Sequence, residues 1–388
     1  MITVEQALAS VFALVQPLPT EIVPLARANG RFMPAPAIAN RDQPPFAASA
    51  MDGYAVNGTA TPGASFTVIG EAGAGHAFEG AVPPGHAIRI FTGAPVPDGA
   101  TRIVIQEDVD ASGAQITLRE NLEAGTNIRP LGQDFRVGSS LPPRLLRPND
   151  IALLAAMNVA ELPVTRRPVV AIIATGDELV MPGESPRHDQ IIASNSFALK
   201  AMVEDAGGTA RMLPIARDSD ASLRTVLDMA IGADLIVTIG GASVGDHDLV
   251  GKVAAQMGME RAFYKIAMRP GKPLMAGRLH GVPMLGLPGN PVSAIVCGHL
   301  FLLPMLHAML GMGTLPPPTQ TTRLAVDIPA NGPRAHYMRA RLAAGLITPF
   351  DRQDSALLTI LTEANALLIR PIGDGPRNAG EDVAYLPI

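Results

Sequence analysis

Short apolar segments and helical segments alternate through the middle of the chain, and this alternation restricts the fold more than any other feature. Residues 169–173, 211–215 and 235–239 are apolar runs typical of buried strands, whereas residues 194–206 and 219–231 have the pattern of helices. Strands and helices at this spacing imply a parallel sheet with helices on both faces. Ligands bind such sheets in the loops beyond the carboxyl ends of the strands. A functional site is therefore expected in those loops.

Acidic residues follow each of these predicted strands. The first strand leads to Thr175, Gly176, Asp177 and Glu178, the second to Asp218, and the third to Gly240, Gly241, Ser243, Asp246 and Asp248. Glycines after a strand let backbone N–H groups approach an anion, and paired carboxylates suit a hard divalent cation. Each acid taken singly could instead be a helix cap, and Gly240–Gly241 could be only a tight turn. The recurrence of acids at three successive strand ends favours a cation and phosphate site.

Basic residues and a proline-flanked loop come next along the chain. The basic residues are Lys265, Arg269 and Lys272, and the loop is Pro288, Gly289, Asn290 and Pro291. Flanking prolines stiffen a loop, and its free N–H groups can then face an oxyanion. Oxygen ligands for a metal beside cations for phosphate form the combination that phosphoryl chemistry needs.

The composition excludes several other classes of protein. The chain of 388 residues is 47% apolar but only 4% aromatic and has no Trp, which suits packed α/β layers better than a carbohydrate-binding or peptide-binding surface. Its net charge of −5 argues against nucleic acid as a partner. The single cysteine, Cys297, excludes a disulfide framework and a cysteine-based metal site. Residues 292–310 are apolar enough to mimic a membrane span, but their polar residues and proline predict a buried helix. With no signal-peptide pattern in the first residues, we expect a cytoplasmic protein without membrane contact.

The regions on either side of this alternating segment have different sequence patterns. Thr3 followed by Gln6 predicts a capped amphipathic helix at the start of the chain. Residues 55–130 contain short β-type runs separated by Gly and Pro, which predicts a small all-β insert. The C-terminal segment from about Gly313 opens with a run of prolines and then contains β-type runs again. Loops of the first half also carry Asp52, Thr92, Arg129 and Asp134, of which Asp52, before Gly53, would on its own most often be a turn former.

Motifs spread over nearly the whole chain resemble those of one family. They occupy residues 49–56, 92–95, 175–179, 240–246, 270–273, 287–293, 353–358 and 364–367. Any one of these motifs is weak, but their co-occurrence in this order is specific. The sequence resembles the molybdopterin molybdenumtransferase family, which includes the MoeA proteins and the gephyrin E domain.

The resemblance implies an α/β multidomain fold: a doubly wound molybdopterin-binding (MogA-like) domain, a β-rich insert domain and a C-terminal β-barrel domain. It also implies that the N-terminal helix packs with the doubly wound domain. The expected boundaries are 1–20 for this helix, 21–50 and 132–167 for an irregular proline-rich linker domain, 51–131 for the insert, 168–312 for the doubly wound domain and 313–388 for the barrel.

The same resemblance implies a reaction. Members of the family insert molybdate into adenylylated molybdopterin, with hydrolysis of the phosphoanhydride and release of AMP, and they require a divalent cation such as Mg²⁺. In this sequence Asp177, Glu178, Asp246 and Asp248 would hold the cation, and Lys265, Arg269 and Lys272 would clamp phosphate and oxyanion. The sulfur ligands of molybdenum come from the substrate, so a chain with one cysteine can handle a soft metal.

The resemblance further implies a homodimer with the active site between chains. Asp52, Thr92 and Asp134 of one chain would then join the strand-end loops of the other. We expect Asp52, Thr92, Asp134, Glu178, Lys265 and Lys272 to act in turnover. The remaining residues would bind the substrate: Arg129, Thr175, Gly176, Asp218, Gly240, Gly241, Ser243, Arg269, Pro288, Gly289, Asn290 and Pro291.

Two other functions fit parts of the pattern. A molybdopterin adenylyltransferase-like enzyme would use the same doubly wound domain, but the insert and the barrel argue against it. Alternatively, the chain could be a non-catalytic scaffold like gephyrin, although the acids present at every strand end argue for catalysis. The adenylyltransferase is also a possible partner protein, since it would supply the adenylylated substrate.

Overall fold

The computed structural model describes residues 1–241 and 249–388. Two compact units divide the chain: one comprises residues 1–21, 30–34 and 164–388, and the other comprises residues 22–29 and 35–163. We call them the larger unit and the smaller unit. The finer boundaries expected at residues 20, 50, 131, 167 and 312 stay predictions.

The smaller unit is built mainly of β-structure, as predicted for residues 55–130. Its six-stranded sheet has the order Arg102–Ile105, Gly53–Val56, His86–Ile90, Ser65–Ala72, Gln115–Leu118 and Val109–Ser112. Two short antiparallel pairs accompany the sheet, Ala48–Ser49 with Ile128–Arg129 and Ala37–Ile38 with Ser140–Leu141. The helix Pro148–Ala156 closes this unit, with Pro148 at its first position, where the missing N–H is tolerated.

The larger unit contains the predicted parallel sheet. Its six strands have the order Thr209–Met212, Val169–Ala174, Leu235–Ile239, Val282–Leu287, Met275–Leu279 and Glu260–Tyr264. The first four are parallel to one another, and the last two form an antiparallel edge. The strand predicted over 211–215 is found at Thr209–Met212; it ends before Pro214, which has no N–H to donate to the ladder.

Helices cover both faces of this sheet, so the doubly wound arrangement is confirmed. On one face, Val170 and Ile172 pack in a core with the helices Val4–Phe12, Asn195–Asp205 and Pro291–Met309. On the other face, Ala171 and Ile173 pack against the helices Asp220–Asp228 and Leu249–Gln256. Both faces of each central strand are buried, which explains its continuous apolar sequence.

The N-terminal helix Val4–Phe12 has the predicted capping box. Thr3 Oγ1 accepts from the N–H of Gln6, while the Gln6 side chain accepts from the N–H of Thr3. Val4, Ala7, Leu8 and Val11 belong to the same buried core as the sheet. The helix therefore shares one buried core with the strands of the large sheet.

The apolar helix Pro291–Met309 contains a π-helical turn at Gly298–Leu302. It is long and apolar enough to cross a membrane by length and composition alone, but 78% of its most apolar window is buried in the protein. Cys297 is fully buried within it, and burial raises the pKa of the thiol. The segment is thus a core helix, as predicted.

The C-terminal region is a closed five-stranded barrel. Its strands follow the order Ala335–Ala343, Leu346–Pro349, Gln320–Leu324, Asp382–Pro387 and Ala366–Arg370, and the last pairs back with the first. A further strand, Met268–Arg269, comes from the region of the doubly wound domain and pairs in parallel with the start of Ala335–Ala343. The short helix Leu358–Glu363 lies between two of the barrel strands in sequence.

The remaining elements are short. The strands are Thr20–Pro24, Phe32–Met33, Arg144–Leu145, Glu161–Thr165, Leu179–Val180 and Ile191–Ile192, and the 3₁₀ turns are Leu25–Arg27 and Gln106–Asp108. A parallel pair follows Val169–Ala174 in the chain and is formed by Leu179–Val180 and Ile191–Ile192. This pair positions the loop that carries the first group of predicted acids.

Candidate functional site

A cavity of about 790 Å³ opens at the carboxyl ends of the parallel strands. Of the predicted residues, Thr175, Gly176, Glu178, Asp218, Gly240, Gly241, Pro288, Gly289, Asn290 and Pro291 lie on its wall. Ile191, Ile192 and Leu179 add an apolar portion. The topology thus brings together loops from four strand ends, although their chemical roles stay predictions.

Thr175 and the two glycines form the tightest part of the wall. A methyl group on Gly240 would lie 2.9 Å from the Thr175 carbonyl oxygen, and one on Gly241 would lie 2.2 Å from Cγ2 of Val250. Both glycines have positive φ, +86° and +64°, so both space and backbone conformation require glycine. The N–H of Gly240, however, donates to the Leu287 carbonyl at 3.0 Å. The expectation that this N–H faces an anion is therefore wrong, because the sheet ladder already uses it.

The loop after the first strand carries Asp177 and Glu178. The Asp218 N–H donates to Oδ1 of Asp177 at 3.1 Å, which joins the first and second strand ends. The Glu178 carboxylate lies over Gly176, since a methyl group there would be 2.3 Å from Glu178 Oε2. The carboxylates of Asp177, Glu178 and Asp218 therefore belong to two adjoining loops.

Arg217 is a contributor that the sequence did not reveal. Its Nη1 donates to the carbonyl oxygens of Gly176, Asp177 and Leu179 at 3.3, 3.1 and 3.0 Å. The only available signal was its place directly before Asp218, at the second strand end.

The proline-flanked loop is held by two side chains that the sequence also left unassigned, those of Asn195 and Ser355. Asn195 Nδ2 donates to the Gly289 carbonyl at 2.7 Å, and Asn290 Nδ2 donates to Ser355 Oγ at 3.1 Å. The N–H of Val292 donates to the carbonyl of the same serine at 3.0 Å. Ser355 belongs to the barrel, so a barrel loop lies against this edge of the cavity, where Ala356 joins the wall.

The three predicted basic residues do not reach the cavity wall as the structure describes it; the nearest in sequence on that wall is Pro273. Lys265 has a positive φ of 76° and its Nζ lies 4.9 Å from the centre of the Tyr264 ring. Arg269 is exposed, and its Nη2 lies 3.5 Å from Asn331 Oδ1. Partial burial, together with Arg334, lowers the pKa of Arg269.

Arg339, on the barrel strand Ala335–Ala343, is fully buried. Its Nη2 donates to the Asp354 carbonyl at 2.9 Å, while Nε and Nη1 have no hydrogen-bond partner among the residues that the structure describes. Burial lowers the pKa of its guanidinium, and the charge of Asp354 opposes that shift. Unpaired buried N–H groups are costly, so this arginine has donors that suit an anionic ligand.

The pKa of His336 reflects the positive charge of the arginines around it, Arg339 among them. Burial, and after it the charges of Arg269, Arg339, Arg370 and Arg334 in that order, together lower the pKa of His336 to about 3. His336 is therefore neutral at physiological pH.

In the smaller unit, Asp52 and Thr92 form a pair. The N–H and the hydroxyl of Thr92 both donate to Asp52 Oδ1 at 2.7 Å. These two bonds, the backbone one first, lower the pKa of Asp52. Asp52 is therefore a positioned carboxylate rather than a simple turn former.

A second cavity, of about 570 Å³, lies within the smaller unit. Arg129 and Asp134 are on its wall, with Gly93, which follows Thr92 in sequence. Gln43 and Gln133 add amide groups. The predicted residues of the first half are thus distributed between this cavity and the Asp52–Thr92 pair.

The described residues, 1–241 and 249–388, hold no cluster of three or more His, Cys, Asp or Glu side chains that could bind a metal ion. Two of the four predicted ligands, Asp246 and Asp248, lie outside the described residues, as does Ser243. The described donors at the strand ends are carboxylate oxygens, which fit a hard divalent cation.

Comparisons with known proteins cover the whole chain. One family model, the MoeA N-terminal region (domains I and II), matches residues 2–158, and a second, a probable molybdopterin binding domain, matches residues 171–308. A third, the MoeA C-terminal region (domain IV), matches residues 321–388. Molybdopterin molybdenumtransferase of Nostoc sp. is 33% identical over 388 residues, 95% of this chain and 89% of the relative. The chain belongs to the molybdopterin molybdenumtransferase family.

Other members of the molybdenumtransferase family also match this chain over nearly its full length. The Bacillus subtilis molybdopterin molybdenumtransferase is 33% identical and covers 95% of this chain, which in turn covers 90% of that relative. The crystal structure of the molybdopterin biosynthesis moeA protein from Pyrococcus horikoshii OT3 superposes with a TM-score of 0.85 at 26% identity and covers 100% of both chains. The family and the fold class inferred from the motifs are therefore confirmed.

Proposed function

We propose that this chain inserts molybdate into adenylylated molybdopterin, with hydrolysis of the phosphoanhydride and release of AMP. The observation that carries the proposal is the cavity of about 790 Å³, which lies within the region matched by the molybdopterin binding domain and has Glu178 and Asp218 on its wall. Members of the family over nearly the full length are named molybdopterin molybdenumtransferases.

In this proposal the strand-end acids hold a divalent cation, Mg²⁺ by preference. Asp177 and Glu178 supply the described ligands, and Asp246 and Asp248 would complete the set. When bound, the cation supplies charge neutralisation for the phosphate that leaves with AMP. The chain itself orients this pair of loops at the edge of the cavity.

The oxyanion would be held at the opposite side, by the barrel loop and the basic residues. Lys265, Arg269 and Lys272 would add positive charge from the preceding segment, and the loop from Pro288 to Pro291 would orient the substrate.

The direct test is AMP release from adenylylated molybdopterin by the purified chain. We expect release to depend on molybdate and on Mg²⁺, to stop with a chelator, and to fall by about 100-fold or more in Glu178→Gln, since removal of a charge-stabilising group costs about that much. Consumption of ATP without AMP release from the adenylylated substrate would point to an adenylyltransferase instead. A folded chain with neither activity would contradict the proposal.

We extend the proposal to a homodimer that shares its active site between chains, on the basis of the sequence motifs that carry Asp52, Thr92, Arg129 and Asp134. Asp52→Ala and Glu178→Ala should each be inactive alone. Because each mixed dimer would then contain one intact site and one doubly altered site, random mixing should restore about a quarter of wild-type activity. A site made within one chain would give no recovery, although each variant is a dimer by light scattering.

Two further parts of the proposal concern the setting of the reaction. We place the protein in the cytoplasm, which agrees with its lone, buried cysteine. A molybdopterin adenylyltransferase would be the partner that hands over the adenylylated substrate, and co-purification of the two proteins would test this.

A further inference from the structure

We propose that Arg217 is a positioning residue, which fixes the loop that carries Asp177 and places Glu178 on the cavity wall. Its guanidinium contacts the backbone of that loop and not the reacting groups. The inference rests on the proposed function, because the position of Glu178 matters only if its carboxylate acts in turnover.

The contacts of Arg217 all converge on one turn. Its Nη1 donates to the carbonyl oxygens of Gly176, Asp177 and Leu179, which precede, belong to and follow the acidic pair. Three carbonyl dipoles that point toward one place repel one another unless a cation lies between them. A guanidinium supplies that charge in a rigid planar group. Without this positive charge, the repulsion between the three carbonyl dipoles would favour their separation.

Two further bonds attach the segment around Arg217 to the same turn. The N–H of Gly176 donates to the Ala216 carbonyl at 3.0 Å, and the N–H of Asp218 donates to Asp177 Oδ1 at 3.1 Å. The N–H of Arg217 itself donates to Ser222 Oγ at 2.9 Å, which fixes the arginine backbone at the start of the helix Asp220–Asp228. Arg217 thus lies between two anchored neighbours and bridges the first and second strand ends.

The position of Glu178 depends directly on this backbone. Its carboxylate lies over Gly176, with Oε2 only 2.3 Å from the point that a methyl group there would occupy. Gly176 has a φ of +146°, a conformation that side chains rarely adopt. If the Gly176 carbonyl rotates after loss of Arg217, the support beneath the Glu178 carboxylate changes with it. A displacement of about 1 Å of a catalytic group can lower turnover by about 100-fold.

The test compares Arg217→Met with Arg217→Lys and with a matched control, Arg211→Met. Arg211 is also an arginine of the larger unit that donates to a backbone carbonyl, that of Ile231 at 3.0 Å, but it does not contact the acidic turn. Two readouts are needed: amide hydrogen exchange of a peptide spanning residues 175–181, and kcat and KM for molybdate-dependent AMP release.

We expect Arg217→Met to speed exchange of that peptide by about tenfold or more, since each lost hydrogen bond is worth roughly that factor in an opening equilibrium. We also expect kcat to fall by about 10- to 100-fold with KM changed by less than about threefold, because the acids act in turnover rather than in ground-state binding. Arg217→Lys should be intermediate in both readouts, since an ammonium keeps the charge but loses the planar fork. Arg211→Met should leave both unchanged.

The results distinguish failure of the positioning role of Arg217 from failure of the proposed function. Unchanged exchange in Arg217→Met, or faster exchange with an unchanged kcat, would overturn the positioning role while wild-type AMP release still supports the proposed function. Equal losses in Arg211→Met and Arg217→Met would also overturn it, because a general loss of stability would then explain both. No AMP release from the wild-type chain would instead remove the proposed function, and the inference with it.

Discussion

Gly241→Ala should destabilise the larger unit through two separable effects. An alanine at a φ of +64° costs about 1–2 kcal/mol in backbone strain. Its methyl group would lie 2.2 Å from Cγ2 of Val250 and 2.9 Å from Oγ1 of Thr175. Overpacking of this kind costs about 1–3 kcal/mol more. The free energy of unfolding should therefore fall by about 2–5 kcal/mol.

The matched control is Gly232→Ala. Gly232 has a similar φ of +82°, but no heavy atom of the described residues lies within 4 Å of the added methyl group. Its cost should be the strain alone, about 1–2 kcal/mol. Urea denaturation of both variants gives the difference, and equal costs would refute the steric argument.

A double-mutant cycle with Val250→Ala isolates the clash. Val250 is 1% exposed, so its truncation is destabilising by itself. In the double variant the methyl group at 241 gains space, and the coupling energy should be favourable by about 1–3 kcal/mol. A coupling energy of zero would mean that the loop moves away instead, and that the cavity wall at Thr175 is softer than the structure implies.

Other perturbations give outcomes that are equally direct. Thr92→Val removes the hydroxyl donor but keeps the N–H, so the pKa of Asp52, followed by carboxyl NMR titration, should rise part of the way toward about 3.9. The stabilisation from ionised Asp52 is present above its unfolded-state pKa and is lost as the pH falls through the lowered folded value, so in Thr92→Val this loss should be smaller and should be complete at a higher pH. Asp374→Ala leaves the Arg370 guanidinium, which is 2% exposed, without its carboxylate, and thermal unfolding of the barrel should register a loss of about 3 kcal/mol. Phe301→Ala, in the core helix, should cost about 3–5 kcal/mol in urea denaturation, and a cost below about 1 kcal/mol would contradict its complete burial.

Local signals predicted the elements well because the bonds that define them are local. The Thr3–Gln6 capping box joins residues three positions apart, and the helix predicted over 194–206 is found at Asn195–Asp205. The alternation of strands and helices was sufficient for a doubly wound sheet, since right-handed crossovers leave few other topologies. The strand predicted over 211–215 was displaced because its start is set by pairing with Val169–Ile172, which the local sequence does not show.

The site was predicted less completely, because its organising contacts are distant in sequence. Arg217 meets the acidic turn from 38 to 41 residues away, and Asn290 meets Ser355 from 65 residues away. Arg339 reads as an ordinary alternating strand residue until its complete burial is known. The N–H of Gly240 illustrates the opposite error: a glycine after a strand suggests a free donor, but the ladder to Leu287 takes it. Sequence patterns show which residue types are present, whereas long-range pairing decides which atoms remain available.

The strand Met268–Arg269 has a consequence for how this protein can be divided. It leaves the region of the doubly wound domain and adds to the barrel sheet, where it pairs with Ala335 and His336. A shortened chain that ended near residue 312 would keep this strand but lose its partner, and the freed edge would expose unpaired N–H and C=O groups. The barrel could not simply be removed or exchanged for that of a relative, because one of its strands is extended by pairing with a segment encoded about fifty residues before the barrel begins. The two regions are therefore expected to be inherited, expressed and engineered together.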